Sequence, residues 1–179
     1  RRLDLLKKIK KACSNPDAII PVKMDITNKR MIGSQVKKII KNYGIPDIIL
    51  LNAGTNNPNS KDIFSIEETR QIFETNFFGT LNCLRALLPF LMKKKKNSQV
   101  IFMSSVAGYR GLPYAAAYCS SKSAITTFAE SIYNQCKNVG IAVRVVNPGF
   151  IKTPLTDKNK FKMPMIISVE KAADILYEK

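Results

Sequence analysis

Apolar positions along the chain fall into two alternating patterns. Four short runs, Ala18–Met24, Pro46–Asn52, Gln99–Ser104 and Ala142–Asn147, are rich in aliphatic residues with almost no polar alternation. That is the pattern of strands covered on both faces. Around them, apolar residues recur at helical spacing over Leu3–Ala12, Lys29–Asn42, Ile66–Met92, Ala115–Asn138 and Val169–Glu178. Ser65, with Glu68 three residues on, forms a capping box that opens the third helix, and Ser168 offers a side-chain oxygen to cap the last. Strand and helix in alternation predict a parallel sheet flanked by helices, a doubly wound three-layer α/β/α fold. No repeat, linker or low-complexity segment interrupts the pattern, so residues 1–179 read as one domain.

Composition narrows the function. The chain has no histidine, which excludes a Ser-His-Asp triad and any histidine metal site. Cys13, Cys83, Cys119 and Cys136 lack metal or redox spacing and read as free thiols of a reducing, cytoplasmic compartment. The longest apolar runs are far too short for a transmembrane helix. A net charge of +16 invites a nucleic-acid reading. The basic residues, however, are spread over every predicted helix rather than gathered in one stripe. The run Lys93–Lys96 falls where a helix ends, a usual place for solvated lysines. The expectation is a lysine-rich surface without a nucleic-acid site.

Ligands bind this architecture at the carboxyl ends of the strands, so polar residues there carry the candidate chemistry. The third predicted strand ends in Ser104-Ser105, and the following helix presents Tyr118 and Lys122, four apart on one face. A phenol with a pKa near 10 is a poor acid–base group at neutral pH; a lysine ammonium one turn away would lower it. A serine hydroxyl would hold a carbonyl oxygen while the phenol protonates it. Ser120, Tyr133 and Lys137 repeat the same spacing, but all three fall within one helix and cannot converge. Ser105 instead precedes a glycine-containing loop, Ala107–Gly111, that can fold it back over Tyr118.

Several motifs accompany this trio. They are Asn52-Ala53-Gly54 after the second predicted strand, Asn76 inside the third helix, and Pro148-Gly149 with Ile151 and Thr153 after the fourth strand. In order and spacing they resemble the short-chain dehydrogenase/reductase family over nearly the whole chain. That resemblance implies a Rossmann-type NAD(P)-binding domain and an oxidoreductase interconverting a carbonyl and an alcohol. By the same resemblance Tyr118 is the acid/base, Lys122 tunes it and binds the nicotinamide ribose, Ser105 orients the carbonyl, and Asn76 kinks its helix to hold a relay water. Asp25 with Ile26, Asn52, Ala53, Gly54, Tyr118, Lys122, Pro148, Gly149, Ile151 and Thr153 border the cofactor, and Phe150–Ile167 matches a substrate lid. Arg1, beside Arg2, falls where the family grips a 2′-phosphate, which favours NADP over NAD. No metal is implied, and a homodimer or homotetramer is.

One departure stands out. No GxGxxG or GxxxGxG loop is present, and the chain starts and stops inside helices. Either the protein is not of this class, or about 30 residues precede Arg1 and both terminal parts of the domain are missing from the sequence. A non-catalytic nucleotide-binding scaffold of the same fold remains the alternative, with a charge-driven nucleic-acid binder as a third reading.

Overall fold

The sheet is built around one central strand. In a computed structural model, residues 2–57, 63–94, 98–159 and 161–178 are described. Strands β1 (Ile48–Leu51), β2 (Ser98–Met103) and β3 (Ile141–Val146) are parallel in the order β1-β2-β3. Ile48 stands opposite Gln99, and Ser98 opposite Ile141. Helices α1 (Leu3–Ala12), α2 (Lys29–Tyr43), α3 (Ile66–Phe73), α4 (Gly79–Leu91), α5 (Ala116–Asn138) and α6 (Val169–Tyr177) alternate with the strands. This is the Rossmann-like layering that the apolar pattern predicts.

Val100 and Phe102 of β2 are fully buried and meet Leu84, Leu91, Ile125, Ala129 and Ile141 in the core. Phe102, Phe128 and Phe77 continue it as an edge-to-face aromatic chain. Cys83, Cys119 and Cys136 are buried thiols, and burial pushes Cys83 up to about 11, so it packs as a small apolar residue. Among the described residues, no group of histidine, cysteine or acidic side chains could hold a metal, and no helix is long and apolar enough to cross a membrane.

Three expectations need correction. Ala18–Met24 is not a strand: a 3₁₀ turn takes Pro16–Ala18, and the extended segment after it finds no ladder partner among the described residues. Its aliphatic residues satisfy the composition of a strand but not its hydrogen bonding. Burial on both faces holds for β2 only in part and fails for β1, where Ile48 and Leu50 are exposed on a strand paired along one edge. The predicted Ile66–Met92 helix is interrupted by a π turn over Glu74–Phe78.

Both serines cap their helices as predicted, but among the described residues no Glu68 side-chain bond returns to Ser65, so the capping box is half formed. Ser65 Oγ accepts from Glu68 N at 3.2 Å, and Ser168 Oγ accepts from Lys171 N at 3.1 Å. Lys94 is more than a solvated lysine: its Nζ donates to Asp47 Oδ1 at 2.5 Å and to the carbonyls of Ile45 and Pro46, tying the end of α4 to the entry of β1. Lys95 and Lys96 lie outside the described residues.

Candidate active site

Three contacts hold the segment after β2 against α5. Ser104, just past β2, donates to the Lys122 carbonyl at 2.9 Å and shares a 2.8 Å hydrogen bond with Thr126. Gly108, in the short 3₁₀ turn that follows, lies so close to α5 that a Cβ there would sit 3.1–3.3 Å from the backbone of Lys122 and Ser123. The loop is tied on its other side by Val106 N, which donates to the Pro148 carbonyl at 3.1 Å. Ser105 is thereby held against the first turn of α5, where Tyr118 lies. The Ser105 hydroxyl accepts from Ala107 N at 3.1 Å, and Ser105 and Tyr118 line the same cleft.

Lys122 is buried and donates from Nζ to the Met103 carbonyl at 2.8 Å; the same nitrogen lies 5.7 Å from the Tyr118 ring centroid. Burial pushes its ammonium down to about 8. Burial also raises the Tyr118 phenol, the Ser105 hydrogen bond pulls it back in part, and Cys119 adds a smaller upward push. The sequence expectation of a phenol lowered by Lys122 is therefore reversed, because desolvation outweighs the other influences here.

Asn76 sits within the π turn and is buried. π turns inside α-helices recur at functional sites. The Asn76 side chain clamps Thr55 from both sides: Thr55 N donates to Oδ1 at 2.7 Å and Nδ2 donates to the Thr55 carbonyl at 3.0 Å. Nδ2 also donates to Ser121 Oγ at 3.0 Å, and that hydroxyl donates to the Tyr118 carbonyl at 2.7 Å. The main-chain carbonyl of Asn76 accepts from Thr80 Oγ1 at 2.7 Å.

A cleft of about 590 Å³ opens at the carboxyl ends of the three strands. It brings together the predicted Asn52, Gly54, Ser105, Tyr118, Lys122, Pro148, Gly149, Ile151 and Thr153. Ala53, Asp25 and Ile26 are not part of its wall. Asp25 Oδ1 accepts from Thr27 N and Oγ1 at 3.0 and 2.9 Å, a local Asx turn, while Ile26 packs on Gly79 and its carbonyl accepts from Asn82. Arg1 lies outside the described residues, but Arg2 lines the cleft. The second trio does not assemble: Ser120, Tyr133 and Lys137 are exposed along α5. Sequence reasoning missed Ser121, the link between Asn76 and Tyr118. Its signal was a small polar residue three positions past Tyr118, on a buried helical face.

Phe150–Ile167 is pinned at its neck. Lys152 N donates to the Ile167 carbonyl at 2.9 Å, and Ile167 N donates to Phe150 O at 3.0 Å. The intervening chain turns through a 3₁₀ segment at Thr156–Lys158 and lines both the cleft and a smaller apolar cavity beside Tyr118.

This fold, a parallel sheet flanked by helices with serine, tyrosine and lysine at the sheet's carboxyl end, defines a Rossmann-like α/β domain. The profile of the short chain dehydrogenase family matches residues 1–163, and the chain belongs to that family. An uncharacterized oxidoreductase of Myxococcus xanthus is 31% identical over 87% of this chain and 61% of its own length. A 3-ketodihydrosphingosine reductase of Bacteroides thetaiotaomicron is 33% identical over 75% of this chain and 49% of its own length. The chain thus spans about half to three fifths of these relatives. Among solved structures, a short-chain dehydrogenase from Streptomyces avermitilis superposes with a TM-score of 0.77 at 26% identity, over 94% of this chain and 59% of that one. ElxO with NADP bound superposes at 0.82 and 24% identity, over 92% and 72%, a likeness of fold.

Proposed function

We propose that the protein is a nicotinamide-dependent oxidoreductase that interconverts a carbonyl and an alcohol, with Ser105, Tyr118 and Lys122 as its proton-transfer centre. One observation carries the reading: Ser105, Tyr118 and the buried Lys122 together line a cleft at the carboxyl end of a parallel sheet. Family membership and a relative named for reducing a ketone support it.

The cleft residues fit a dinucleotide. Its volume suits a cofactor, Arg2, Lys122 and Lys158 offer positive charge to a polyanion, and at Gly149 nothing lies within 4 Å of where a Cβ would stand, leaving the backbone open to approach. Asn52, Gly54, Pro148, Gly149, Ile151 and Thr153 would border the cofactor, with Lys122 on its ribose. Bound there, it supplies or accepts a hydride at the carbonyl carbon. Ser105, whose oxygen already accepts from Ala107 N, directs its hydroxyl proton toward the carbonyl oxygen. Tyr118, kept protonated at neutral pH by burial, gives that oxygen its proton in the reducing direction. The Lys122 ammonium stabilises the phenolate left behind. Asn76 holds Thr55 and, through Ser121, the Tyr118 backbone in register.

Arg2 at the cleft favours NADP, since a guanidinium pairs bidentately with a phosphate. Titration of the protein with NADPH and NADH tests this: NADPH binds at least about tenfold tighter, and equal affinity overturns the preference. Consumption of NADPH across a panel of ketones and aldehydes tests the activity. Binding without turnover across that panel favours the non-catalytic alternative. A cytoplasmic homodimer or homotetramer, joined through the long helices α3–α4 and α5, belongs to the same proposal; a monomer by light scattering contradicts that part of it.

A further inference from the structure

The cavity on the outer side of Ser105 and Tyr118 does not share the character of the chain around it. It measures about 70 Å³, and Val106, Leu112, Pro113, Phe150, Leu155 and Phe161 supply most of its wall. Phe150 and Phe161 close one side with ring centroids 6.0 Å apart. The chain carries 29 lysines and arginines and 13 acidic residues, yet none of the described residues lining this cavity is charged.

Besides Ser105 and Tyr118, the polar side chains lining it are Asn56, Tyr114, Thr156 and Asn159, and the last two are bonded within the chain. Thr156 Oγ1 accepts from Thr153 N at 2.9 Å and donates to the Ile151 carbonyl at 2.6 Å. Asn159 turns its amide to Met163 Sδ at 3.4 Å. Ser105 and Tyr118 remain to receive a carbonyl oxygen. A carboxylate or phosphate drawn in behind that carbonyl loses its hydration and meets no cation. An alkyl group gains from the same transfer. The space is under half of the roughly 150 Å³ that accommodates benzene, which limits the group to about three carbons.

Resting on the carbonyl-reductase reading above, we propose that the substrate is a neutral ketone or aldehyde that places a short, uncharged alkyl substituent in this cavity. Charged carbonyl compounds are excluded by desolvation rather than by repulsion.

Symmetrical ketones test this without ambiguity over which substituent enters. With NADPH saturating, kcat/KM for diethyl ketone exceeds that for acetone dicarboxylate by at least about a hundredfold. Leu112→Lys, which sets a cation on the wall, raises the absolute rate on acetone dicarboxylate while lowering that on diethyl ketone. A misfolded variant cannot produce that gain. Unaltered protein that reduces acetone dicarboxylate as well as diethyl ketone overturns the inference and leaves carbonyl reduction standing. A folded Leu112→Lys variant without the gain removes this cavity as the source of selection. No turnover of any of these ketones with cofactor bound contradicts the underlying activity, and this inference with it.

Discussion

Lys122 is the residue on which the site's charge balance turns. It is buried, yet carries an ammonium, held by the Met103 carbonyl and lying beside the Tyr118 ring. Desolvation pushes its pKa down to about 8. The protonated form, the one able to stabilise a phenolate, is therefore populated below that value and lost as pH rises through it. Tyr118, shifted upward, stays protonated over the same interval. In the reducing direction kcat/KM should be flat below neutral pH and fall as pH rises through about 8; a rate that climbs across that interval contradicts this role for Lys122. Asn76→Ala removes both partners of Thr55 and the amide on Ser121. Groups left unpaired in a buried setting cost about 1–3 kcal/mol, measurable by urea denaturation, and turnover should fall with it. Ser105, Tyr118 and Lys122 were suggested by a strand end and helical periodicity, whereas Asn76 rested on the family resemblance alone. Ser121 could not be read from the sequence, because its partner lies 45 positions away and only packing brings the two together. The phenol's upward shift was equally hidden, since it reflects burial that a spacing argument does not contain.

At the level of elements, the predicted boundaries of α1, α2, α5, α6 and three strands agree with the structure to within about two residues, the usual scatter of such ends. The failures have specific causes. Ala18–Met24 has the composition of a strand, but a strand exists only against a neighbour, and pairing is not written in one segment. The π turn at Glu74–Phe78 inserts one residue per turn without altering the apolar pattern enough to be seen, yet it is what brings Asn76 to Thr55. The loop after β2 was legible as a fold-back because of its glycines, and Gly108 explains why: any side chain there collides with the α5 backbone. Gly108→Ala should destabilise the protein by roughly 1–3 kcal/mol and loosen Ser105 from Tyr118. Its loss in kcat/KM should be larger for carbonyl reduction than its loss in cofactor affinity. Equal losses in both would mean that the loop supports the fold alone.

At the scale of the whole molecule, the chain combines a conventional parallel sheet with a strongly basic surface, +16 overall. Charge said little about the site, because only Arg2, Lys122 and Lys158 among its lining residues are charged, while most lysines lie elsewhere. The fold class was legible throughout, since alternating strand and helix patterns leave few topologies. The cofactor's identity was not, because Arg1 lies outside the described residues and Arg2 alone lines the cleft. What defines the molecule is the meeting of β2, the loop after it and α5 around Tyr118. The most direct test compares unaltered protein with Tyr118→Phe, measuring ketone reduction and NADPH affinity side by side. Turnover should fall roughly 10²- to 10⁴-fold while cofactor affinity is unchanged. A Tyr118→Phe protein that reduces the same ketone at near the original rate would contradict the account.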